Sequence, residues 1–171
     1  LPVLLIIEDN PDITAYIKRC LGDTYRILTA ENGGKGIEIA YAEIPDIIIS
    51  DVMMPVMNGF QVCETLKTDE RTSHIPIILL TAKVAQEDKN AGLTLGADAY
   101  LTKPFDPEEL TIRLEKLIEL RRKLQQKYSD RLFLLTGPAP KADEQPSLDD
   151  LFLEKLRQTV LDRLDDPDLG V

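Results

Sequence analysis

The chain predicts an α/β fold, a doubly wound five-stranded parallel sheet in the strand order 2-1-3-4-5. Three observations carry that expectation. Short β-branched and apolar runs recur along the 171 residues, separated by stretches of helical period. Ile47-Ile48-Ile49 is apolar at every position, as strands buried on both faces are. Strand-helix-strand repeats with right-handed crossovers then leave one economical arrangement, with helices on both sides of the sheet.

Taken in order, Val3-Leu4-Leu5-Ile6-Ile7 reads as the first strand, and Glu8-Asp9-Asn10-Pro11-Asp12 as a turn into a helix that ends near Leu21, before Gly22. Residues 25–30 form a weaker second strand. Residues 33–42 are helical in period, and Pro45 closes the connection. The third strand, from Ile47, runs straight into Ser50-Asp51-Val52-Met53-Met54-Pro55. Asn58-Gly59 opens a helix with Val62 and Leu66, and residues 75–81 form the fourth strand, where Pro76 is tolerable at the start. A helix over 86–95 ends at Gly96, and residues 99–101 make a short fifth strand. Asp106, Pro107 and Glu109 read as a capping box for a helix whose Leu110, Leu114, Leu117, Leu124 and Tyr128 recur at helical spacing. That helix should outrun the sheet.

Residues 1–128 are therefore the expected domain. Residues 129–146 read as a linker that holds the short apolar run Arg131-Leu132-Phe133-Leu134-Leu135-Thr136 and then Gly137-Pro138-Ala139-Pro140. Residues 147–171 read as an amphipathic helix with Leu148, Leu151, Phe152, Leu156, Val160 and Leu164 in one stripe.

The formal net charge of -10 argues against nucleic-acid binding by this piece alone, since such a surface needs clustered Lys and Arg. Through Tyr128 there are 15 basic and 20 acidic residues, and 5 and 10 beyond it, so the acidity is not a tail. Cys20 and Cys63 lack any CxxC or Cys/His spacing, which suits free, buried thiols in a reducing, cytoplasmic setting. The first apolar run is too short to cross a bilayer or form a signal peptide. The start at Leu1-Pro2 without Met suggests a piece of a longer chain. His74 is the only histidine and falls in a loop, and no Gly-rich ATP-binding element occurs, so no kinase activity is expected of this piece.

In the strand order 2-1-3-4-5 the switch point lies between the first and third strands, which gathers Glu8, Asp9 and Asp51 around one crevice. Such carboxylates repel by roughly 4 kcal/mol per close pair at an effective dielectric near 20. They must bind a proton or a cation, and oxygen-only ligands with open positions favour Mg2+. The plainer reading is that Glu8 and Asp9 cap the first helix. It loses weight because the fourth and fifth strands end in Thr81-Ala82 and Thr102-Lys103-Pro104, which add a hydroxyl, backbone N–H groups and an ammonium to the same rim. Acids that hold a metal, opposed by donors and a cation, suit phosphoryl transfer, with Asp51 as a nucleophile that forms an acyl phosphate.

Glu8-Asp9, Asp51 with Met54-Pro55 and Asn58-Gly59 after it, Thr81-Ala82, Gly96-Ala97-Asp98-Ala99-Tyr100 and Lys103-Pro104-Phe105 together resemble the receiver domain of two-component response regulators, a flavodoxin-like fold. The resemblance spans residues 3–128. It implies that Asp51 accepts a phosphoryl group from the phosphohistidine of a histidine kinase or phosphotransfer domain. It also implies that Asp9, Asp51 and the Met53 carbonyl ligate Mg2+, with Glu8 helping through water. Lys103 would pair with phosphoryl oxygens across a cis bond to Pro104, and the backbone of Ala82 would bind them too. Thr81 and Tyr100 would be the switch pair, and Met53 and Lys83 would tune how fast the phosphoryl group is lost. An output and homodimer face would carry Lys89, Asp98, Arg113 and Arg121, with dimerisation on activation.

Phe152-Leu153-Glu154-Lys155-Leu156 and Leu164-Asp165-Asp166-Pro167 are similar to the lead-in of AraC-type DNA-binding domains. The parent would then be a hybrid histidine kinase in a phosphorelay, itself open to a membrane anchor. DNA would be reached only through an output domain beyond Val171, for transcription regulation. Two other readings compete. A haloacid-dehalogenase-like phosphatase wants a second Asp two residues after the nucleophile, where Met53 stands. A module that dimerises without phosphorylation would draw on the apolar tail, against a full set of site residues.

Overall fold

The computed structural model describes residues 1–82 and 96–136, the side chains of 130–136 excepted. Five strands, β1 (Val3–Ile7), β2 (Arg26–Ala30), β3 (Ile47–Asp51), β4 (Ile77–Thr81) and β5 (Ala99–Thr102), form one parallel sheet ordered β2-β1-β3-β4-β5. Four described helices accompany it: α1 (Pro11–Leu21), α2 (Gly33–Glu43), α3 (Gly59–Thr68) and α4 (Pro107–Thr136). The helix expected over 86–95, the linker beyond 136 and the helix over 147–171 lie outside the described residues.

The core divides between the two faces of the sheet because side chains alternate along a strand. Leu4, Ile6, Ile47, Ile49, Ile78 and Leu80 meet Ile17 of α1 and Leu110 and Leu114 of α4. Their neighbours Leu5, Ile7, Ile48, Ile77 and Leu79 meet Ala40 of α2 and Val62, Cys63 and Leu66 of α3. All five positions of β3 and of β4 are buried. The strands read as continuous apolar runs for that reason.

Local signals fix the helix starts. Asn10 caps α1, its Oδ1 accepting from the Asp12 N–H at 2.9 Å, with Pro11 at the first helical position and Gly22 (φ 55) closing the helix. Asn58 and Gln61 form a full capping box on α3. At α4 the expected capping box is only half present. Asp106 Oδ1 accepts from the Glu108 N–H at 2.8 Å, but the Glu109 carboxylate pairs with Arg113 one turn on. An i,i+4 guanidinium competes well for that side chain.

The chain divides into two compact units, Leu1–Arg121 and Arg122–Val171, and α4 crosses that boundary. In the first unit α4 buries Leu110, Leu114 and Ile118, and Arg121 Nη1 donates to the Pro45 carbonyl at 2.9 Å. In the second, Leu124 and Tyr128 are exposed. Residues 129–136, expected as the start of a linker, are helical, because no Gly or Pro interrupts the chain between Pro107 and Gly137. Among the described residues no helix is long and apolar enough to cross a membrane.

Candidate functional site

The parallel register decides what meets at the carboxyl ends of the strands. Ile7 pairs with Ser50, Asp51 with Leu80 and Thr81 with Thr102. Glu8 therefore emerges beside Asp51, and Lys103 follows beside Thr81, its N–H donating to the Thr81 carbonyl at 2.7 Å. Carboxylate oxygens of Glu8, Asp9 and Asp51 all lie within 4.8 Å of one another. Lys103 Nζ sits 2.8 Å from Glu8 Oε2 and 2.9 Å from Asp51 Oδ1. The Lys103–Pro104 peptide is cis.

Burial shapes the electrostatics. The Glu8 side chain is 1% exposed and that of Asp51 8%, whereas Asp9 is open to solvent. Burial foremost, with the Asp51 charge adding to it, pushes the Glu8 carboxyl above the usual carboxylate range, against the opposing bonds from Lys103 and the Asn10 N–H. Burial by itself would lower the Lys103 ammonium. Its hydrogen bonds to Glu8 and Asp51 outweigh that and hold it above its ordinary value. Three carboxylates against one ammonium leave two negative charges uncompensated. A cluster of hard oxygen donors carrying that charge fits a divalent cation of the Mg2+ type.

The other expected residues fall as follows. Thr81 is buried at the end of β4, and Ala82 is exposed just beyond it. Met53 is 73% exposed two residues past Asp51. Tyr100 is half-buried and packs on the core face shared with α2 and α3. His74 is exposed in its loop, as the sequence suggests. Of the expected output face, Lys89 and its neighbour Lys83 lie outside the described residues. Asp98 is committed within the chain, its Oδ2 accepting from Lys67 Nζ and from the Ile77 N–H, both at 2.8 Å. Arg113 pairs with Glu109 on its own helix. Arg121 is largely buried against Pro45 and Asp46, because the α2–β3 connection offers it a carbonyl and a carboxylate. That corrects its placement on the output face.

Two features went unseen in the sequence. The direct bond between Lys103 and Glu8 has no local signal, since the residues are 95 positions apart. The Asn58–Gln61 box did have one, an Asn with Gln three residues later at a helix start.

Residues 4–115 match the model of the response regulator receiver domain. This chain belongs to that family. As a receiver it is a phosphorylation-accepting switch of two-component systems, whose members interact with histidine kinases or phosphotransfer proteins. The receiver is 37% identical over 161 residues to Histidine kinase P4 of Formosa agariphila, covering 94% of this chain and 12% of that protein. It is 40% identical over 139 residues to the DNA-binding dual master transcriptional regulator RpaA of Synechocystis, covering 81% of this chain and 58% of the regulator. It thus spans less than two thirds of either relative. Among solved structures, it is similar to the receiver domain of a sensor histidine kinase from Pseudomonas aeruginosa with a magnesium ion coordinated in its active site cleft. The identity is 31% and the TM-score 0.64, over 69% of this chain and 98% of that one.

Proposed function

We propose that Asp51 is the phosphoacceptor of this receiver, taking the phosphoryl group of a phosphohistidine on a histidine kinase or phosphotransfer domain in a Mg2+-dependent reaction. The observation that carries the reading is the convergence of Lys103 on Asp51 and Glu8 beside an exposed Asp9. Asp9, Asp51 and the Met53 carbonyl would hold the metal, with Glu8 acting through water. Bound there, Mg2+ would neutralise charge on the transferring phosphoryl oxygens.

In the transfer, a carboxylate oxygen of Asp51 forms a bond to phosphorus as the phosphorus–nitrogen bond breaks. The electron pair stays on the donor imidazole, and the product is an acyl phosphate. Lys103, 2.9 Å from Asp51 Oδ1, supplies a cation to the phosphoryl oxygens. The Ala82 N–H donates to the same oxygens, and the Thr81 hydroxyl turns toward them as Tyr100 changes rotamer. The phosphorylated arrangement is then selected because it binds the phosphoryl group better.

The proposal extends to dimerisation on activation, transcriptional output through an AraC-type domain, a cytoplasmic setting and a hybrid-kinase parent. The named relatives, a histidine kinase and a DNA-binding regulator, are consistent with such a parent. The interaction face is proposed to carry Lys89, Asp98 and Arg113. Residues 1–128 are proposed as the receiver and residues beyond 136 as the connection to the output helix over 147–171.

The test is incubation with acetyl phosphate and Mg2+, read by intact mass and by oligomer size. A phosphoryl adduct that disappears in Asp51→Ala and in excess chelator, with a shift toward dimer, is expected. Absence of an adduct on the wild-type chain at every Mg2+ concentration would overturn the reading.

A further inference from the structure

The first turn of α3 lies directly on the peptide that carries Asp51. A Cβ built on Gly59 would stand 2.2 Å from the Asp51 carbonyl oxygen, 2.9 Å from its carbonyl carbon and 3.0 Å from Val52 Cα. All three are backbone atoms of a buried, fully hydrogen-bonded segment. The Val52 N–H donates to the Leu80 carbonyl at 2.9 Å, and the Gly59 N–H donates to the Val52 carbonyl at 3.1 Å. A side chain at Gly59 therefore cannot be met by the rotation of a neighbour. Either α3 backs away or the Asp51 peptide moves. The contrast with Gly36 is informative, because a Cβ there meets only the side chain of Ile7, whose far end stands nearest.

The loop between these two contacts is tightly set. The Met57 N–H donates to the Pro55 carbonyl at 2.8 Å across a three-residue turn centred on Val56, whose φ is 69. A β-branched residue there is strained, and Val56 is fully exposed, so no packing of its side chain offsets the strain. Asn58 and Gln61 then close the box that starts α3. Asp51 and the helix start are thus joined by seven residues, Met53 among them, with bonds at both ends and a strained turn between them.

We propose that Gly59 is a positioning residue for this site: its bare Cα lets α3 seat on the Asp51 peptide, and that seat holds the Asp51 carboxylate and the Met53 carbonyl in one register. The inference rests on Asp51 and Met53 being the metal- and phosphoryl-binding groups. Gly59 touches neither ligand, and it acts through the backbone it abuts.

The experiment compares the wild-type chain with Gly59→Ala and with Leu66→Ala, a fully buried residue seven positions further along the same helix. Mg2+ affinity is measured by calorimetry, adduct formation from acetyl phosphate by mass, and metal-free amide exchange over residues 50–60. Positioning predicts a loss of about 10–100-fold in Mg2+ affinity in Gly59→Ala, with faster exchange over 50–60, while Leu66→Ala lowers the melting temperature and keeps its affinity. Equal affinity in wild type and folded Gly59→Ala would overturn the proposal, as would an equal loss in both variants. Should Gly59→Ala not fold, Asn58→Ala frees the first turn of α3 from its exposed side, and unchanged Mg2+ affinity there would also overturn it. Failure of the wild-type chain to bind Mg2+ or form an adduct would instead remove the phosphoacceptor reading itself.

Discussion

Lys103 spreads one ammonium over two nearly buried acids, Glu8 and Asp51, and each of the three depends on the others. Removing the cation leaves two carboxylates facing each other in a poorly solvated crevice. Lys103→Ala is therefore expected to cost about 3 kcal/mol in urea unfolding of the metal-free chain, and added Mg2+ should recover much of it. A metal-free loss within experimental error would contradict that account. Glu8 sets a pH dependence of definite sign. Its folded value is raised, so the folded chain binds more protons than the unfolded one above the ordinary value of 4.5. Metal-free stability must then fall as pH climbs from there through the raised value. Glu8→Gln should remove that descent, and urea midpoints that run parallel for variant and wild type across the interval would refute it. The sequence could tell which residues share the rim, because strand ends are legible as the last apolar position. It could not tell that Lys103 bonds Glu8, or that Asp98 is held by Lys67, because such choices depend on side-chain reach in three dimensions.

At the scale of elements, the strands announce themselves because each is buried on both faces or nearly so, and the helices on the sheet because their apolar stripes have something to cover. That logic weakens along α4. Leu114 is fully buried against α1 and the sheet, while Leu120, six residues on, is 54% exposed. Leu114→Ala should cost about 2–5 kcal/mol and Leu120→Ala well under 1 kcal/mol, both read by urea unfolding. Similar costs at the two positions would mean that the outer face of α4 is covered in solution. The same loss of contrast explains why the end of α4 was misjudged at Tyr128. Past the sheet the stripe thins to Leu124 and Tyr128, both exposed, so its period does not mark where the helix stops, and the first helix breaker in the sequence is Gly137. Capping has a local signal at Asn10 and Asn58, an amide just before each helix start, which went unread beside that of Asp106. It was overread at Glu109, where Arg113 offered that carboxylate a second partner.

At the scale of the molecule, two reporters distinguish local from global events. Cys63 is fully buried and its thiol is pushed up to about 11, chiefly by burial, whereas Cys20 is only partly covered. A thiol reagent at neutral pH should therefore label one cysteine per folded chain readily and reach Cys63 only through global opening. Rapid labelling of both would show that the α3 face of the core opens on its own. Mg2+ should stabilise the fold by mass action, about 2.7 kcal/mol at 100 times its dissociation constant, and Asp9→Asn should blunt the effect. The strand order 2-1-3-4-5 was readable because few topologies satisfy right-handed crossovers with five strands.

The contact of Lys103 with its two acids also separates two kinds of salt response. Partners 2.8 and 2.9 Å apart, on side chains almost closed to water, sit well inside the Debye length of about 8 Å at physiological ionic strength, so mobile ions cannot thin their attraction. The rest of the surface carries a large negative excess, with a formal charge of -10 on the whole chain, and that long-range field is screened readily. Ionic strength should thus change how often a charged donor, or Mg2+ at the exposed Asp9, arrives, while the Lys103 contacts at the sheet edge stay nearly untouched.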